Sequence, residues 1–194
     1  MLNIGVLAVQ GDVSEHVSAV ENTFIKLKVQ GTAVEVKTAE EISKIDALII
    51  PGGESTAIGK LLVKTKINKE IKRLSGKIPI MGTCAGMVLL AKKVSDGAKE
   101  QPLLNLMDIK VKRNAFGRQK ESFEAEIDSK LGKIHGVFIR APVIEAAGDE
   151  VEILAEYKGK IVMAKQNKNL AAAFHPELTD DVKIYEYFLK LIKN

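Results

Sequence analysis

The chain has 194 residues, is 46% hydrophobic and carries a formal charge of +4, with its lysines scattered along the sequence. This length favours one domain spanning residues 1–194, and the scattered charge argues against a nucleic-acid surface. The single cysteine, Cys84, excludes an intrachain disulfide framework and a multi-thiolate metal site, which indicates a reducing, cytoplasmic setting. We expect no metal ion and no organic cofactor.

The N-terminal segment is apolar but lacks the basic region and cleavage site of a signal peptide, so it is predicted to be a first strand. No apolar run reaches the length of about 18 residues that indicates a transmembrane helix, and no membrane partner is expected.

Strands and helices alternate in the first half of the chain. Strands are predicted over residues 2–9, 32–37, 45–50 and 78–81, and helices over 13–28, 56–66, a short stretch ending at 74, and 85–93. This alternation predicts an α/β fold with a three-layer, mostly parallel sheet flanked by helices. Because ligands bind beyond the carboxyl ends of parallel strands, we expect Gln10-Gly11, Pro51-Gly52-Gly53 and Thr83-Cys84 to converge on one edge.

The second half contains short strand patterns separated by turns, which predict an antiparallel extension of the sheet. These strands are predicted over residues 107–112, 122–127, 133–139, 143–147, 151–157, 160–165 and 170–174. A final amphipathic helix is predicted over residues 180–193, with Thr179 and Asp180 as capping residues.

Cys84 lies in the segment Gly82-Thr83-Cys84-Ala85-Gly86, between a predicted strand and a predicted helix. A residue flanked in this way by glycines is typical of a sharp strand-to-helix elbow that exposes a nucleophile. A buried structural cysteine is the alternative, because free cysteine is among the most buried residue types.

A cysteine nucleophile needs a base and a group that orients the base. His175 follows the last predicted strand and precedes Pro176 and Glu177, so it can reach the edge that carries Cys84, with Glu177 on its other ring nitrogen. A surface loop with an incidental acid is the alternative. For the remaining histidines, His16 and His135, we favour structural roles.

Acyl transfer also needs donors for the developing oxyanion. The glycine pair Gly52-Gly53 and the N–H of Ala85 fit that role, whereas the spacing of a phosphate-binding loop is absent.

Arginine is rare in this lysine-rich chain and suits a carboxylate ligand better than lysine does. The four arginines are Arg73, Arg113, Arg118 and Arg140.

Together, the cysteine elbow, the glycine pair and His175-Pro176-Glu177 resemble the class I (triad) glutamine amidotransferase family. Within that family, further segments are similar to the glutaminase subunits of pyridoxal 5′-phosphate synthases, and the resemblance runs from residue 4 to about residue 181. Those segments are Leu7 to Asp12 with Glu15-His16, Pro51 to Thr56, Arg113 to Gln119, Phe138 to Pro142 and Phe174 to Leu178.

The resemblance implies a class I amidotransferase-like, flavodoxin-like fold and a Cys-His-Glu triad that hydrolyses L-glutamine to L-glutamate and ammonia. It implies Cys84 as nucleophile, His175 as general base and acid, and Glu177 as the orienting carboxylate. It also implies oxyanion donors at Gly53 and Ala85. The implied glutamine-binding residues are Gly53, Glu54, Ser55, Arg113, Ile139 and Arg140.

The resemblance further implies a partner, a (β/α)8-barrel synthase subunit that takes the ammonia for pyridoxal 5′-phosphate synthesis, with the helix of His16 near the interface. Asn167 stands where glycine is expected but tolerates the left-handed conformation, and Tyr185 stands where histidine is expected and concerns only the interface. Two alternatives remain: the glutaminase of another class I enzyme, such as imidazole glycerol phosphate synthase, and a non-catalytic partner subunit with Cys84 as a redox sensor.

Overall fold

The computed structural model describes residues 1–95, 101–116 and 122–192. The strands are β1 Leu2–Leu7, β2 Gly31–Val36, β3 Ala47–Ile50, β4 Ile80–Thr83, β5 Ala91–Val94, β6 Met107–Lys112, β7 Ser122–Ser129, β8 Gly132–Ile139, β9 Val143–Ala147, β10 Glu152–Tyr157, β11 Lys160–Gln166 and β12 Asn169–Ala172. The helices are α1 Val13–Leu27, α2 Ala39–Ile42, α3 Ser55–Lys64, α4 Ile67–Leu74, α5 Ala85–Leu90 and α6 Lys183–Lys190. In the part of the chain described, none of these helices is long and apolar enough to cross a membrane.

The strands form one mixed sheet. Its parallel part has the order β2-β1-β3-β4-β12. Strands β11, β10, β7 and β8 continue it with antiparallel pairing, while β9 joins β11 to β6, and β6 pairs with β5. This architecture confirms the predicted α/β fold, with a parallel sheet that continues into an antiparallel extension.

Helices cover both faces of the parallel part. The β1-to-β2 and β2-to-β3 crossovers run in opposite directions across the sheet, so right-handed connections place α1 on one face and the next helices on the other. Accordingly, α1 packs against α6, whereas α3 packs against α4 and α5. Every residue of β3, β4 and β12 is buried, and apart from Thr83 and Asn169 these strands contain no polar side chain, as expected for strands covered on both faces.

Several element boundaries differ from the sequence-based prediction. The helix after the elbow ends at Leu90 instead of residue 93, because residues 91–94 form β5 and pair with β6. The first strand ends at Leu7 and the last at Ala172, so two residues separate β12 from His175. Helix α2 was not predicted; it is a short helix at whose start Thr38 and Glu41 form a reciprocal capping box.

The final helix begins later than predicted. Thr179 and Asp180 do not cap it, because the Thr179 hydroxyl accepts from the Asp181 N–H at 3.3 Å in a turn that precedes the helix. The Asp181 carboxylate then accepts from the N–H of Lys183 at 3.0 Å, where α6 begins. The side chain of Asp181, one residue later than predicted, therefore accepts a hydrogen bond from the first residue of α6.

The two glycines of the predicted elbow lie where backbone meets backbone. A Cβ atom on Gly86 would lie 2.0 Å from the carbonyl oxygen of Ile50, and one on Gly82 would lie 2.5 Å from the carbonyl carbon of Gly86. The turn from β4 into α5 is therefore possible only because neither position carries a side chain.

We predict that Gly86→Ala lowers the free energy of unfolding by about 3 kcal/mol, because its methyl group meets rigid backbone. Gly76→Ala is the matched control: Gly76 has a φ of +79° but nothing within 4 Å of its Cβ position, so only left-handed strain of about 1 kcal/mol is expected. Urea unfolding of both variants measures the difference. Equal losses would contradict the close packing at the elbow.

Candidate active site

Cys84 occupies the strand-to-helix elbow predicted from its flanking glycines. Its φ and ψ are 47° and −104°, a strained conformation for a residue with a side chain, and its N–H donates to the carbonyl of Ala172 at 2.8 Å. The thiol is partly exposed, and its Sγ lies 3.9 Å from the carbonyl oxygen of Ile139. This conformation is that of a nucleophile elbow, with the side chain presented beyond the carboxyl end of β4.

His175 and Glu177 form a buried pair beside the elbow. The His175 Nδ1 atom lies 2.7 Å from Glu177 Oε1. The backbone N–H of His175 donates to the backbone carbonyl of Val137 at 2.8 Å. Pro176 begins the short 3-10 turn Pro176–Leu178, which returns Glu177 toward the imidazole. The spacing of these residues therefore produces the histidine–carboxylate pair that the sequence predicted.

The other imidazole nitrogen, His175 Nε2, is buried and forms no regular hydrogen bond within the described residues. Burial lowers the pKa of His175, but its interactions with Cys84 and Glu177 outweigh burial and raise that pKa to about 10. Cys84 therefore lies close enough to His175 to raise its pKa, although the two side chains form no regular hydrogen bond. Catalytic contacts often tighten to regular hydrogen bonds only when substrate binds.

A cavity of about 280 Å³ opens above the thiol and the imidazole. Of the ten predicted site residues, nine line it and Glu177 lies behind His175. The lining residues are Asp12, Gly53, Glu54, Ser55, Cys84, Ala85, Val88, Arg113, Asn114, Ile139, Arg140, Pro142 and His175. The cavity combines charged groups of both signs with backbone donors, which suits a small zwitterionic ligand.

Arg113 and Arg140 reach this cavity from neighbouring loops. The N–H of Ala115 donates to the carbonyl of Ala141 at 2.9 Å and joins the two segments. The Arg113 guanidinium also lies 3.3 Å from Gln101 Oε1, which orients it. Arg140 is exposed, with a φ of 43°. Two guanidinium groups at one cavity can bind a carboxylate.

Glu54 is primarily a helix cap. Its carboxylate accepts from the N–H groups of Thr56 at 2.9 Å and Ala57 at 2.7 Å, at the start of α3. Partial burial raises the pKa of Glu54, but these hydrogen bonds and the charge of Arg113 outweigh it, so the net shift is downward. Glu54 is therefore an ionised carboxylate at the cavity, with lone pairs left for a cationic group.

Backbone groups approach the imidazole closely at the glycine pair. A Cβ atom on Gly52 would lie 2.7 Å from His175 Cε1, and Gly53 has a φ of +136°. Ala85 is the first residue of α5, so its N–H belongs to the turn whose donors have no intrahelical partner. The two predicted oxyanion donors, Gly53 and Ala85, thus line the same cavity as Cys84.

Sequence reasoning missed four lining residues: Asp12, Val88, Asn114 and Pro142. Asp12 could have been found, because it follows Gly11 beyond β1, at the edge where ligands bind. Its Oδ2 atom lies 3.5 Å from His175 Nδ1. Within the described residues, Asp12, His175 and Glu177 are the group whose atoms, all within 4.8 Å of one another, could hold a metal ion. An ion there would displace the proton on His175 Nδ1.

The remaining histidines differ from each other in setting. His16 is fully buried behind Glu177, and its ring bonds to Thr83 and Tyr185. The expectation that Tyr185 concerns only an interface is wrong, because its side chain is buried inside the subunit. His135 instead forms a half-exposed ion-pair cluster with Glu124 and Glu126.

Three further positions considered in the sequence analysis are Asn167, Arg73 and Arg118. Asn167 adopts the predicted left-handed conformation, with a φ of 52°. Arg73 forms a surface ion pair with Glu70 and lies apart from the cavity. Arg118, with the end of the segment that begins at Arg113, lies outside the described residues.

Comparison with known proteins agrees with this geometry. Residues 6–194 match the SNO glutamine amidotransferase family. The chain is 53% identical to pyridoxal 5′-phosphate synthase subunit PdxT of Methanothermobacter thermautotrophicus, over 100% of this chain and 98% of the relative. It is also 53% identical to PdxT of Methanocaldococcus jannaschii, over 96% of each chain. A crystal structure of a glutamine amidotransferase superimposes with a TM-score of 0.89 at 45% identity, covering 98% of this chain and 99% of that one.

We predict that NMR titration finds the His175 midpoint near 10, and that Cys84→Ala lowers it because Cys84 is one of the groups that raise this pKa. A histidine with a raised pKa stabilises the fold fully below its unfolded value of about 6.5, and that stability is lost as pH rises through about 10. As pH rises from about 6.5 to about 10, the free energy of unfolding should therefore fall less in Cys84→Ala than in the unmodified protein.

His135 is the internal control for that titration. Hydrogen bonds from Glu126 and Glu124 raise its pKa at the surface, away from Cys84. Its midpoint should be the same in both proteins. An unchanged His175 midpoint in Cys84→Ala would show that the thiol does not act on the imidazole.

Proposed function

Because this chain belongs to the SNO glutamine amidotransferase family, we propose that it hydrolyses L-glutamine to L-glutamate and ammonia as the glutaminase subunit of a pyridoxal 5′-phosphate synthase. One observation carries the proposal: Cys84 and the His175–Glu177 pair meet at one cavity. The whole chain serves as one glutaminase domain. The relatives that are named as a subunit of that synthase align with this chain over nearly their full length.

The first chemical step is attack on the side-chain amide of glutamine. The Cys84 thiolate forms a bond to the amide carbon, and the electron pair of the carbonyl moves onto oxygen. The N–H groups of Gly53 and Ala85 stabilise this oxyanion. Each such donor typically lowers the barrier by about 3 kcal/mol.

Departure of ammonia completes acylation. The protonated imidazole of His175 gives its Nε2 proton to the amide nitrogen, the carbon–nitrogen bond breaks, and a γ-glutamyl thioester remains on Cys84. The raised pKa of His175, about 10, favours the protonated form needed here. Glu177 keeps the ring oriented and offsets its positive charge.

Water completes the cycle. The neutral imidazole of His175 removes a proton from water, which attacks the thioester carbon, and the bond to Sγ breaks. Glutamate leaves, and the thiolate and imidazolium are restored. The same imidazole therefore acts first as an acid and then as a base.

The α-amino and α-carboxylate groups of glutamine distinguish it from a simple amide. The guanidinium groups of Arg113 and Arg140 suit the carboxylate, and the ionised Glu54 suits the ammonium. Ser55 and the carbonyl of Ile139 supply further polar contacts at the cavity wall.

Ammonia released into water at neutral pH would be protonated and lost as a nucleophile. A glutaminase of this kind therefore needs an acceptor site within a closed complex. We propose that the acceptor is a (β/α)8-barrel synthase subunit that docks on this chain in the cytoplasm and receives the ammonia directly. Cys84 and His175 form no regular hydrogen bond in the chain alone, which leaves room for docking to activate the site.

We predict glutamate release that is weak for the chain alone and at least tenfold faster with the synthase subunit, and that is abolished by Cys84→Ala and His175→Asn. Coupled glutamate assays measure both states. No Cys84-dependent release in either state would contradict the enzyme and favour a non-catalytic subunit. Activation only by the synthase of a different pathway would support another class I glutaminase.

We also predict that Arg113→Lys raises KM for glutamine about tenfold with little change in kcat, because lysine cannot form the two parallel hydrogen bonds of a guanidinium. Arg73→Lys is the matched control, since Arg73 lies on the surface of α4. Steady-state kinetics of the complex test the pair. A KM unchanged by Arg113→Lys would remove Arg113 from the binding site.

A further inference from the structure

A second histidine lies directly behind the triad. His16 on α1 is completely buried, and its Nε2 atom lies 3.0 Å from Thr83 Oγ1 and 3.3 Å from Glu177 Oε2. Its Nδ1 atom lies 2.8 Å from the hydroxyl of Tyr185 on α6. The rear network, which we define as His16, Thr83, Tyr185 and Glu177, therefore joins two helices to the triad and to the residue before the nucleophile.

The two oxygens of Glu177 have different surroundings. Oε1 accepts from His175, while Oε2 is buried and has no regular hydrogen bond within the described residues. His16 Nε2, at 3.3 Å, is the polar contact that the structure gives this oxygen. A buried carboxylate oxygen without a donor is costly, so a hydrogen on His16 Nε2 contributes directly to keeping Glu177 ionised and in place.

The contacts of His16 select one tautomer. A carboxylate can only accept, so we assign the hydrogen to Nε2, the ring nitrogen facing Glu177, and the Thr83 hydroxyl oxygen at 3.0 Å then accepts from the same N–H. The opposite nitrogen, Nδ1, then has a free lone pair, which accepts from the Tyr185 hydroxyl. The reverse tautomer would point a lone pair at the Glu177 carboxylate. The Tyr185 hydroxyl, by donating to Nδ1, therefore supports the tautomer that Glu177 requires.

The protonation states agree with this arrangement. Burial is the largest influence on His16 and lowers its pKa, although the nearby charge of Glu177 opposes it. The other charged groups that act on His16 are His175, Asp12 and Glu15. Burial, followed by the charge of Glu177, raises the pKa of Tyr185. His16 is thus neutral, and Tyr185 remains a phenol that can donate.

We propose that His16 and Tyr185 are positioning residues of the triad, which hold the Glu177 carboxylate through its rear oxygen so that its front oxygen fixes the His175 ring. This inference rests on the proposed glutaminase function. Neither residue lines the substrate cavity within the described structure. Their loss should therefore lower kcat and leave KM for glutamine nearly unchanged.

The central test compares His16→Met with His16→Gln in the complex with the synthase subunit. Methionine fills the space without a donor, whereas the glutamine amide can present an N–H near the position of Nε2. We expect kcat to fall about tenfold or more in His16→Met, as for other residues that orient a functional group. We expect His16→Gln to recover at least half of that loss, with KM within about twofold in both.

Thr23→Val is the matched control on the same helix. Thr23 is also buried, and its hydroxyl donates to the carbonyl of Ala19 at 2.7 Å, away from the triad. Its kcat should stay within about twofold of the unmodified protein. Equal kcat losses in His16→Met, His16→Gln and Thr23→Val would reduce His16 to a packing residue and overturn the proposal.

Tyr185→Phe keeps the proposal testable if His16→Met fails to fold. This change removes one oxygen atom, and Tyr187→Phe is its control because Tyr187 lies partly exposed on the same helix. We expect kcat to fall at least threefold in Tyr185→Phe alone. Identical kinetics of the two variants would contradict a role for Tyr185.

Imidazole 15N NMR of the unmodified complex reads the tautomer directly. The proposal requires His16 to carry hydrogen on Nε2 and none on Nδ1. A hydrogen on Nδ1 would overturn it even if the variants lost activity. An inactive unmodified complex would instead refute the proposed function, which separates the two failures.

Discussion

The parallel pairing of β12 with β4 is the constraint on which the site depends. In this register Ala172 lies beside Thr83, and the N–H of Cys84 donates to the carbonyl of Ala172 at 2.8 Å. The pairing brings the elbow and the segment that leads to His175 to the same sheet edge. Because both strands are buried over their full length, their register is fixed by the core. Core packing therefore determines the spacing of the reacting groups.

Electrostatics at this edge follows from burial. The side chain of Glu177 has no exposed surface, so its charge acts on His175 and His16 with little screening by water. This charge raises the pKa of both imidazoles, but the net shifts are opposite: the pKa of His175 rises and that of His16 falls. His175 has Cys84 and Glu177 as partners, whereas desolvation dominates at His16. One carboxylate thus stands between a protonated imidazole and a neutral one.

The sequence predicted those features of the site that depend on residues close together in the chain. The glycines around Cys84 and the proline between His175 and Glu177 act within a few residues, so the elbow and the histidine–carboxylate pair could be read from the chain. The rear network could not. His16 meets Thr83 across 67 residues and Tyr185 across 169, and no local pattern encodes such side-chain pairs. Likewise, residues 91–94 leave the helical pattern only because β6 is available for pairing.

Covalent trapping would show directly whether Cys84 is the nucleophile of a glutaminase. A glutamine analogue with a diazoketone in place of the amide would be incubated with the chain and its synthase subunit, followed by mass spectrometry of the intact chain and its peptides. We expect one adduct per chain, on Cys84, that excess glutamine prevents. The absence of an adduct in the complex, or labelling that glutamine does not slow, would contradict this role of Cys84.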